Sequence, residues 1–359
     1  MTTRRQIGVL GGVFAVGALV GACTGTADGP GVGSSTASRE KSPGPAELVT
    51  TGLEAPWSIT FAGETALVSE RDSGRILELA TDGTPREVGV IDPVVAVGEG
   101  GLLGLAAHEG ELYMYFTASD GNRIERRPLA GEPGGLGLGE ASTVLGGIPS
   151  AQVHNGGRLA FGPDGMLYAT TGDASDRDSA QDVDALSGKI LRMTPDGGVP
   201  EDNPLPGSLV YSYGHRNPQG IAWAEDGTMY ASEFGQDTWD ELNIIEPGGN
   251  YGWPATEGIA EQEGYRDPIQ QWSPDEASPS GIAISGGNLY LANLRGQRLR
   301  VVPLAAPEDS RELLTEGAGR LRDVVVAPDD SLWVLTNNTD GRGDPGERDD
   351  RILRLTPDA

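Results

Sequence analysis

Residues Val153–Asp173 read V-H-N-G-G-R-L-A-F-G-P-D-G-M-L-Y-A-T-T-G-D, and the second half of this stretch recurs along the chain. P-D-G-M-L-Y-A-T-T at Pro163 is a tight turn followed by a short apolar strand. The unit appears again as A-G-E-T-A-L-V-S-E at Ala62, H-E-G-E-L-Y-M-Y-F at His108, E-D-G-T-M-Y-A-S-E at Glu225, G-G-N-L-Y-L-A-N at Gly286 and P-D-D-S-L-W-V-L-T at Pro328. A second unit alternates strictly with it: G-R-I-L-E-L at Gly74, N-R-I-E-R-R at Asn122 and G-K-I-L-R-M at Gly188. Its later copies are D-E-L-N-I-I at Asp240, Q-R-L-R-V-V at Gln297 and D-R-I-L-R-L at Asp350.

The apolar centres of the first unit fall at Leu67, Leu112, Leu167, Met229, Leu289 and Leu332, with spacings of 45, 55, 62, 60 and 43 residues. Such spacings suit four short strands plus their loops, and no long helical periodicity competes with them. The repeat predicts an all-β, six-bladed β-propeller. The last copy ends at the C-terminus, so a strand near Leu48 to Gly52 is expected to pair with the final blade and close the ring. An open sandwich array is disfavoured because radial closure is what protects so many strand edges.

Composition agrees with this reading. The chain has 55 glycines and 25 prolines, residues that supply the backbone angles of tight turns. Its 53 acidic and 26 basic residues give a formal charge of −27, which repels phosphate backbones and argues against nucleic-acid binding. The single cysteine, Cys23, excludes an internal disulfide framework. Arg4 and Arg5 precede an apolar run from Ile7 to Val20 and then L-V-G-A-C, the pattern of a signal peptide over residues 1–22. L-V-G-A-C resembles a bacterial lipobox and implies a lipidated Cys23, with the arginine pair a weaker pointer to twin-arginine export. Residues 23–47 are rich in Gly, Ser, Thr, Ala and Pro and read as a flexible tether, leaving 48–359 as the folded domain. The expected location is the outer face of a bacterial cell membrane, held there by the lipid alone.

Four polar clusters are expected to converge at the propeller's central channel. His154, one of three histidines, stands among small polar residues and glycines and is a candidate general base. Arg216 and Asn217, in Y-G-H-R-N-P-Q-G, offer fixed donors for a carboxylate or carbonyl oxygen. Gly235 and Gln236 present backbone carbonyls, and Asp240 and Glu241 carboxylates, of the kind a hard cation such as calcium takes. Arg295, Arg320 and Arg322 form a candidate anion site. The sequence carries no Gly-rich phosphate loop, no G-x-S-x-G nucleophile elbow and too few histidines for a His-rich metal centre.

These clusters together resemble the soluble quinoprotein aldose/glucose dehydrogenases, the glucose/sorbosone dehydrogenase family. The resemblance runs from Ala55 onward and rests on A-P-W-S-I-T-F, G-E-G-G-L-L-G-L-A-A-H, V-H-N-G-G-R-L, L-S-G-K-I-L-R, Y-S-Y-G-H-R-N-P-Q-G, G-G-N-Y-G-W-P and G-R-L-R-D-V. It implies a six-bladed propeller that binds pyrroloquinoline quinone (PQQ) through calcium and oxidises aldoses at C1 to lactones, passing electrons to an external acceptor. By this resemblance His154 is the base and Arg216 polarises the quinone carbonyl, with Asn217 and Asp173 beside it. Arg320 and Arg322 flank the cofactor carboxylates, and Gly235 and Gln236 bind the cofactor calcium. Asp240, Glu241 and Tyr251 fall at a second, structural calcium. Val153 and Glu99 stand where the glucose-specific form has an acid and a glutamine, and Arg295 replaces a cofactor-contacting lysine. These departures fit the broader aldose branch.

Two other readings use the same fold. One is a calcium-dependent lactonase working without PQQ, and the other is a non-catalytic propeller that binds envelope sugars or proteins. The motifs carry no reading of oligomeric state.

Overall fold

The computed structural model describes residues 46–357. The signal peptide over 1–22, the lipidated Cys23 and the tether up to residue 45 lie outside the described residues. The rest is an all-β six-bladed propeller, and its one helical element among the described residues is a short 3-10 turn, Arg177–Ala180. The first blade consists of Pro56–Ala62, Thr65–Glu70, Arg75–Leu79 and Pro85–Val90. The second has Leu102–His108, Glu111–Ala118, Gly121–Ala130 and Ser142–Ile148, and the third Leu159–Phe161, Leu167–Thr171, Lys189–Met193 and Val210–Tyr213. The fourth and fifth blades are Pro218–Trp223, Met229–Glu233, Asp240–Ile245, Gln270–Trp272 and Pro279–Ser285, Asn288–Asn293, Arg298–Pro303, Arg311–Leu313. In the sixth, Leu321–Val326, Leu332–Thr336 and Arg351–Leu355 are completed by the N-terminal strand Glu47–Thr51.

The two repeated sequence units are the second and third strands of every blade. The second strands are buried along almost their whole length, on both faces, which explains their apolar runs. Glu47–Thr51 pairs antiparallel with Arg351–Leu355, from Glu47 opposite Arg354 to Thr51 opposite Arg351. Leu53 and Asp350 then exchange both backbone hydrogen bonds, at 3.1 and 3.0 Å. Each innermost strand packs on the next, and the sixth returns to the first, so the ring is closed. Apolar side chains gather into six clusters, one at each interface between neighbouring blades. Stability is therefore distributed around the ring.

In an antiparallel blade, the link between second and third strands emerges at the same end as the link to the next blade. His154, Asp173, Arg216, Asn217, Gly235, Gln236, Arg295, Arg320 and Glu99 all lie on links of these two kinds. The topology alone brings them to one end of the channel.

Candidate active site

His154 sits in the link that enters the third blade, in the left-handed region at φ 61°. Gly156 and Gly157 follow it with φ of 63° and 108°. A Cβ on Gly156 would meet Thr170 O at 2.5 Å, and one on Gly157 would meet the Leu103 side chain at 2.6 Å. The H-N-G-G sequence thus lets the backbone turn tightly against the neighbouring strands. His154 N–H donates to Glu99 Oε2 at 3.0 Å, and its ring Nδ1 lies 2.7 Å from Asp173 Oδ1.

Asp173 is fully buried, and it also accepts from Ser175 N at 2.8 Å and Trp253 Nε1 at 2.8 Å. Burial pushes its carboxyl up, but the His154 imidazole and these donors hold it below its ordinary value. An ionised carboxylate only accepts hydrogen bonds, so Nδ1 carries the imidazole proton and Nε2 is left bare. That is the arrangement of a general base.

Beside it, Arg216 N–H and Asn217 N–H both donate to Glu233 Oε1, the latter at 3.1 Å. Asn217 Oδ1 accepts Gly156 N–H at 3.0 Å, tying the arginine-bearing link to the histidine-bearing one. The Arg216 guanidinium donates to Phe234 O at 3.2 Å and Gly235 O at 2.5 Å, and burial works against its charge. Arg320 reaches Asp340 Oδ2 at 3.1 Å, while Arg322 donates to Gln219 Oε1 at 2.8 Å. Buried nitrogens of these side chains have no partner in the protein: Nε of Arg216, Arg320 and Arg322, and Nδ2 of Asn217. Each of these side chains therefore keeps a buried N–H that no protein acceptor satisfies.

Arg295 is not drawn into this group. It stands in an exposed turn of the fifth blade, its side chain 61% accessible, and pairs with Asp275. Glu99 bridges His154 N–H and Arg342, the latter at 2.9 Å across the mouth.

The predicted cation ligands fall at the rim of the fourth blade. Asp240 accepts Gly235 N–H at 2.8 Å and Ser278 N–H at 2.6 Å, and burial pushes its carboxyl up to about 6. Glu241 accepts Gly258 N–H at 2.7 Å and an Asn243 amide N–H at 3.0 Å; burial and the Glu233 charge raise its carboxyl. The Tyr251 hydroxyl is engaged, donating to Ile244 O at 2.6 Å and accepting Glu246 N–H at 2.8 Å, so only its main-chain carbonyl is left to face a cation. Among the described residues, no cluster of three or more His, Cys, Asp or Glu side chains is arranged to hold a metal ion.

Sequence reasoning missed three contributors. Arg158 stands just before the first strand of the third blade. It donates to Asp323 Oδ2 at 2.9 Å and Gln219 O at 2.9 Å, and lies 4.5 Å over the Trp57 ring. With Asp323 it stands across the central channel, whose 310 Å³ are lined by all six innermost strands. An arginine set inside G-R-L-A-F was the available signal. Glu257 accepts from the successive amides of Gln236, Asp237, Thr238 and Trp239 through one oxygen, at 2.7–3.3 Å. Trp253, the third, belongs to a connection that leaves the opposite end of the fourth blade yet reaches the site, donating its N–H to Gly214 O at 2.9 Å. The remaining histidines serve packing. His215 is buried between Ser212 and Glu233, and His108 stacks on Phe161.

A family model described as glucose/sorbosone dehydrogenase matches residues 53–353. The aldose sugar dehydrogenase of Escherichia coli is 30% identical over 82% of this chain and 90% of its own length. The PQQ-bound aldose sugar dehydrogenase of Streptomyces coelicolor superposes with a TM-score of 0.84 at 50% identity, covering 88% of this chain and 98% of that one. A Thermus thermophilus oxidoreductase described as a glucose dehydrogenase follows at 42% identity and TM-score 0.79, covering 87% and 99%.

Proposed function

Because the chain belongs to the glucose/sorbosone dehydrogenase family, we propose that it is a PQQ-dependent enzyme that oxidises an aldose at C1 to the lactone and hands the electrons to an external acceptor. The observation that carries this reading is the His154–Asp173 pair, set at the same end of the channel as the links bearing Arg216, Asn217 and Arg320, whose side chains keep nitrogens without a protein acceptor. PQQ is a tricarboxylated quinone, and its oxygens are acceptors of the type those nitrogens lack. In this reading Arg320 and Arg322 hold carboxylates, while Arg216 and Asn217 hold quinone oxygens, with Glu99 at the edge; Arg295, exposed and paired with Asp275, is left out.

When bound, PQQ supplies a carbonyl centre that takes up two electrons with a hydride. His154 Nε2 takes the proton of the sugar C1 hydroxyl, and the ionised Asp173 at Nδ1 steadies the imidazolium that results. The half-buried Arg216 guanidinium favours negative charge arising beside it.

Calcium belongs to the same proposal. A hard cation takes roughly six to eight oxygens, so the carbonyls of Gly235 and Gln236 suffice only when a bound ligand's own oxygens complete the set. Gly235 O already accepts Arg216, so cation and guanidinium would share that oxygen. For the second set, burial and the Glu233 charge both raise the Glu241 carboxyl, a strain that a divalent cation would relieve, while Asp240, its neighbour on the strand, points to the other face and bonds Gly235 and Ser278 instead. We also assign the protein to the outer membrane face through Cys23, on the lipobox pattern alone. Cys23→Ser should release it into the soluble fraction, and retention in the membrane would sink the anchor.

The test is reconstitution. Protein loaded with PQQ and calcium should bleach an electron-accepting dye when given an aldose, with all three components required. Tight PQQ binding with no turnover on a panel of aldoses would remove the sugar assignment. Absence of PQQ binding would remove the cofactor as well.

A further inference from the structure

The indole of Trp253 touches both halves of the site. It is 5% exposed, and its Nε1–H donates to Asp173 Oδ2 at 2.8 Å, on the carboxylate whose other oxygen holds His154. The same ring lies under the Arg216 guanidinium, with 5.4 Å from its carbon to the ring centroid. A second guanidinium, that of Arg177, flanks the ring at 4.4 Å.

The backbone of Trp253 is fixed as firmly as its side chain. Its N–H donates to Gly214 O at 2.9 Å, and its carbonyl accepts Gln181 Nε2 at 2.6 Å. Gln181 also exchanges hydrogen bonds with Asn250, so the third-blade link is stapled to the connection that carries Trp253. Three elements therefore meet at one ring: the link holding Asp173 and Arg177, the link holding Arg216, and the climbing connection from the fourth blade.

We infer that Trp253 is a positioning residue that sets the base and the anion clamp together, its indole N–H fixing the Asp173 carboxylate and its ring seating Arg216. Asp173 is buried, so without this donor Oδ2 would face no protein partner and the carboxylate would be free to rotate away from His154 Nδ1. His154 would then sample the other tautomer, in which Nε2 carries the proton and cannot accept one. The ring contributes separately, because a guanidinium over an aromatic face is attracted to it and loses side-chain freedom there. The consequence for turnover rests on the dehydrogenase reading above, but the geometry of the dyad does not.

Two substitutions separate the two contributions. Trp253→Phe keeps an aromatic face and deletes the N–H. It should leave PQQ affinity, followed by absorbance titration, within about twofold, and lower kcat about tenfold with KM nearly constant. Histidine 15N spectra of the same variant without cofactor should lose the single Nδ1-protonated signature of His154. Trp253→Leu deletes the face as well and should weaken PQQ binding by a further factor of about five, a typical cation–π contribution. Should either variant fail to fold, the unsubstituted chain still reports. The Trp253 indole Nε1–H resonance should exchange slowly and move in Asp173→Asn, and a resonance indifferent to that change overturns the inference.

A Trp253→Phe protein with unchanged His154 tautomer and unchanged kcat overturns it too. A wild-type protein that shows the expected tautomer and indole signals but no PQQ-dependent turnover would instead overturn the dehydrogenase reading and leave the positioning role standing.

Discussion

At the scale of single residues, the site is a chain of dependencies that ends on one nitrogen. His154 is placed by Glu99 from its backbone and by Asp173 from its ring, so its Nε2 has little freedom of direction. His154→Ala should lower turnover by about two to four powers of ten, the usual range for a general base, while the melting temperature stays near that of the parent. Unchanged dye-linked turnover would remove His154 from the mechanism. Asp173 gives a second expectation, this one about stability. Its carboxyl is held below its ordinary value in the folded state, so its ionisation stabilises the fold above about pH 4 and that contribution is lost as pH falls through the lowered value. Asp173→Asn should therefore have a melting temperature that falls less steeply between pH 5 and pH 3 than the wild type; equal slopes would refute the assignment. His154 and Arg216 were legible in the sequence because they are rare or clustered polar residues in conspicuous motifs. Trp253 and Arg158 were not, since an aromatic in a turn and an arginine at a strand start look like ordinary packing until the channel is built around them.

At the scale of elements, loops here are held by charged groups placed against backbone. Lys189 is completely buried, and its ammonium donates to Ser179 O at 2.9 Å, Ala180 O at 3.0 Å and Ser187 O at 2.6 Å. It pins the link that carries Asp173 in the way a bound cation would. Lys189→Met takes one donor from each carbonyl, and although Ser179 O and Ala180 O keep the Asp182 and Gly214 N–H groups, Ser187 O is left buried, so the change should cost about 1–3 kcal/mol in chemical unfolding. Glu257 does the converse for Gly235–Trp239, gathering four amide N–H groups on one oxygen. That loop has no room to relax, since a Cβ on Gly235 would stand 1.8 Å from Trp239 O. Glu257→Gln weakens the anchor without adding bulk and should reduce calcium-dependent protection against thermal unfolding; identical protection would show that the loop is held by other contacts. The strands were readable because each repeat has the same apolar centre. The clasps were not, because their partners are backbone groups, which leave no mark in the amino-acid sequence.

At the scale of the whole molecule, the repeat predicted the blade count, the alternation of two strand types and the closing strand, and it did so from spacing and apolar runs alone. It could not show that the connection after Ile245 would climb back to the site end, because loop direction depends on contacts such as Tyr251 N with Tyr213 O. Closure itself converges on Asp350, whose buried carboxylate accepts Thr336 Oγ1 at 2.9 Å and Thr339 N–H at 3.0 Å while its backbone pairs with Leu53. A chain starting at Leu53 lacks the Glu47–Thr51 strand and leaves Arg351–Leu355 as an open edge. It should melt at lower temperature and scatter light in a concentration-dependent way, and a truncated chain as stable as the parent would mean that the ring does not depend on this pairing. The same pairing imposes a schedule on biosynthesis. Thr51 is made 300 residues before its partner Arg351. At ~5–20 residues per second the first strand waits roughly 15–60 s for its mate. Whatever guards that waiting strand, the ring can shut only once Arg351–Leu355 has been made, so this seam is the last of the ring's pairings to become available.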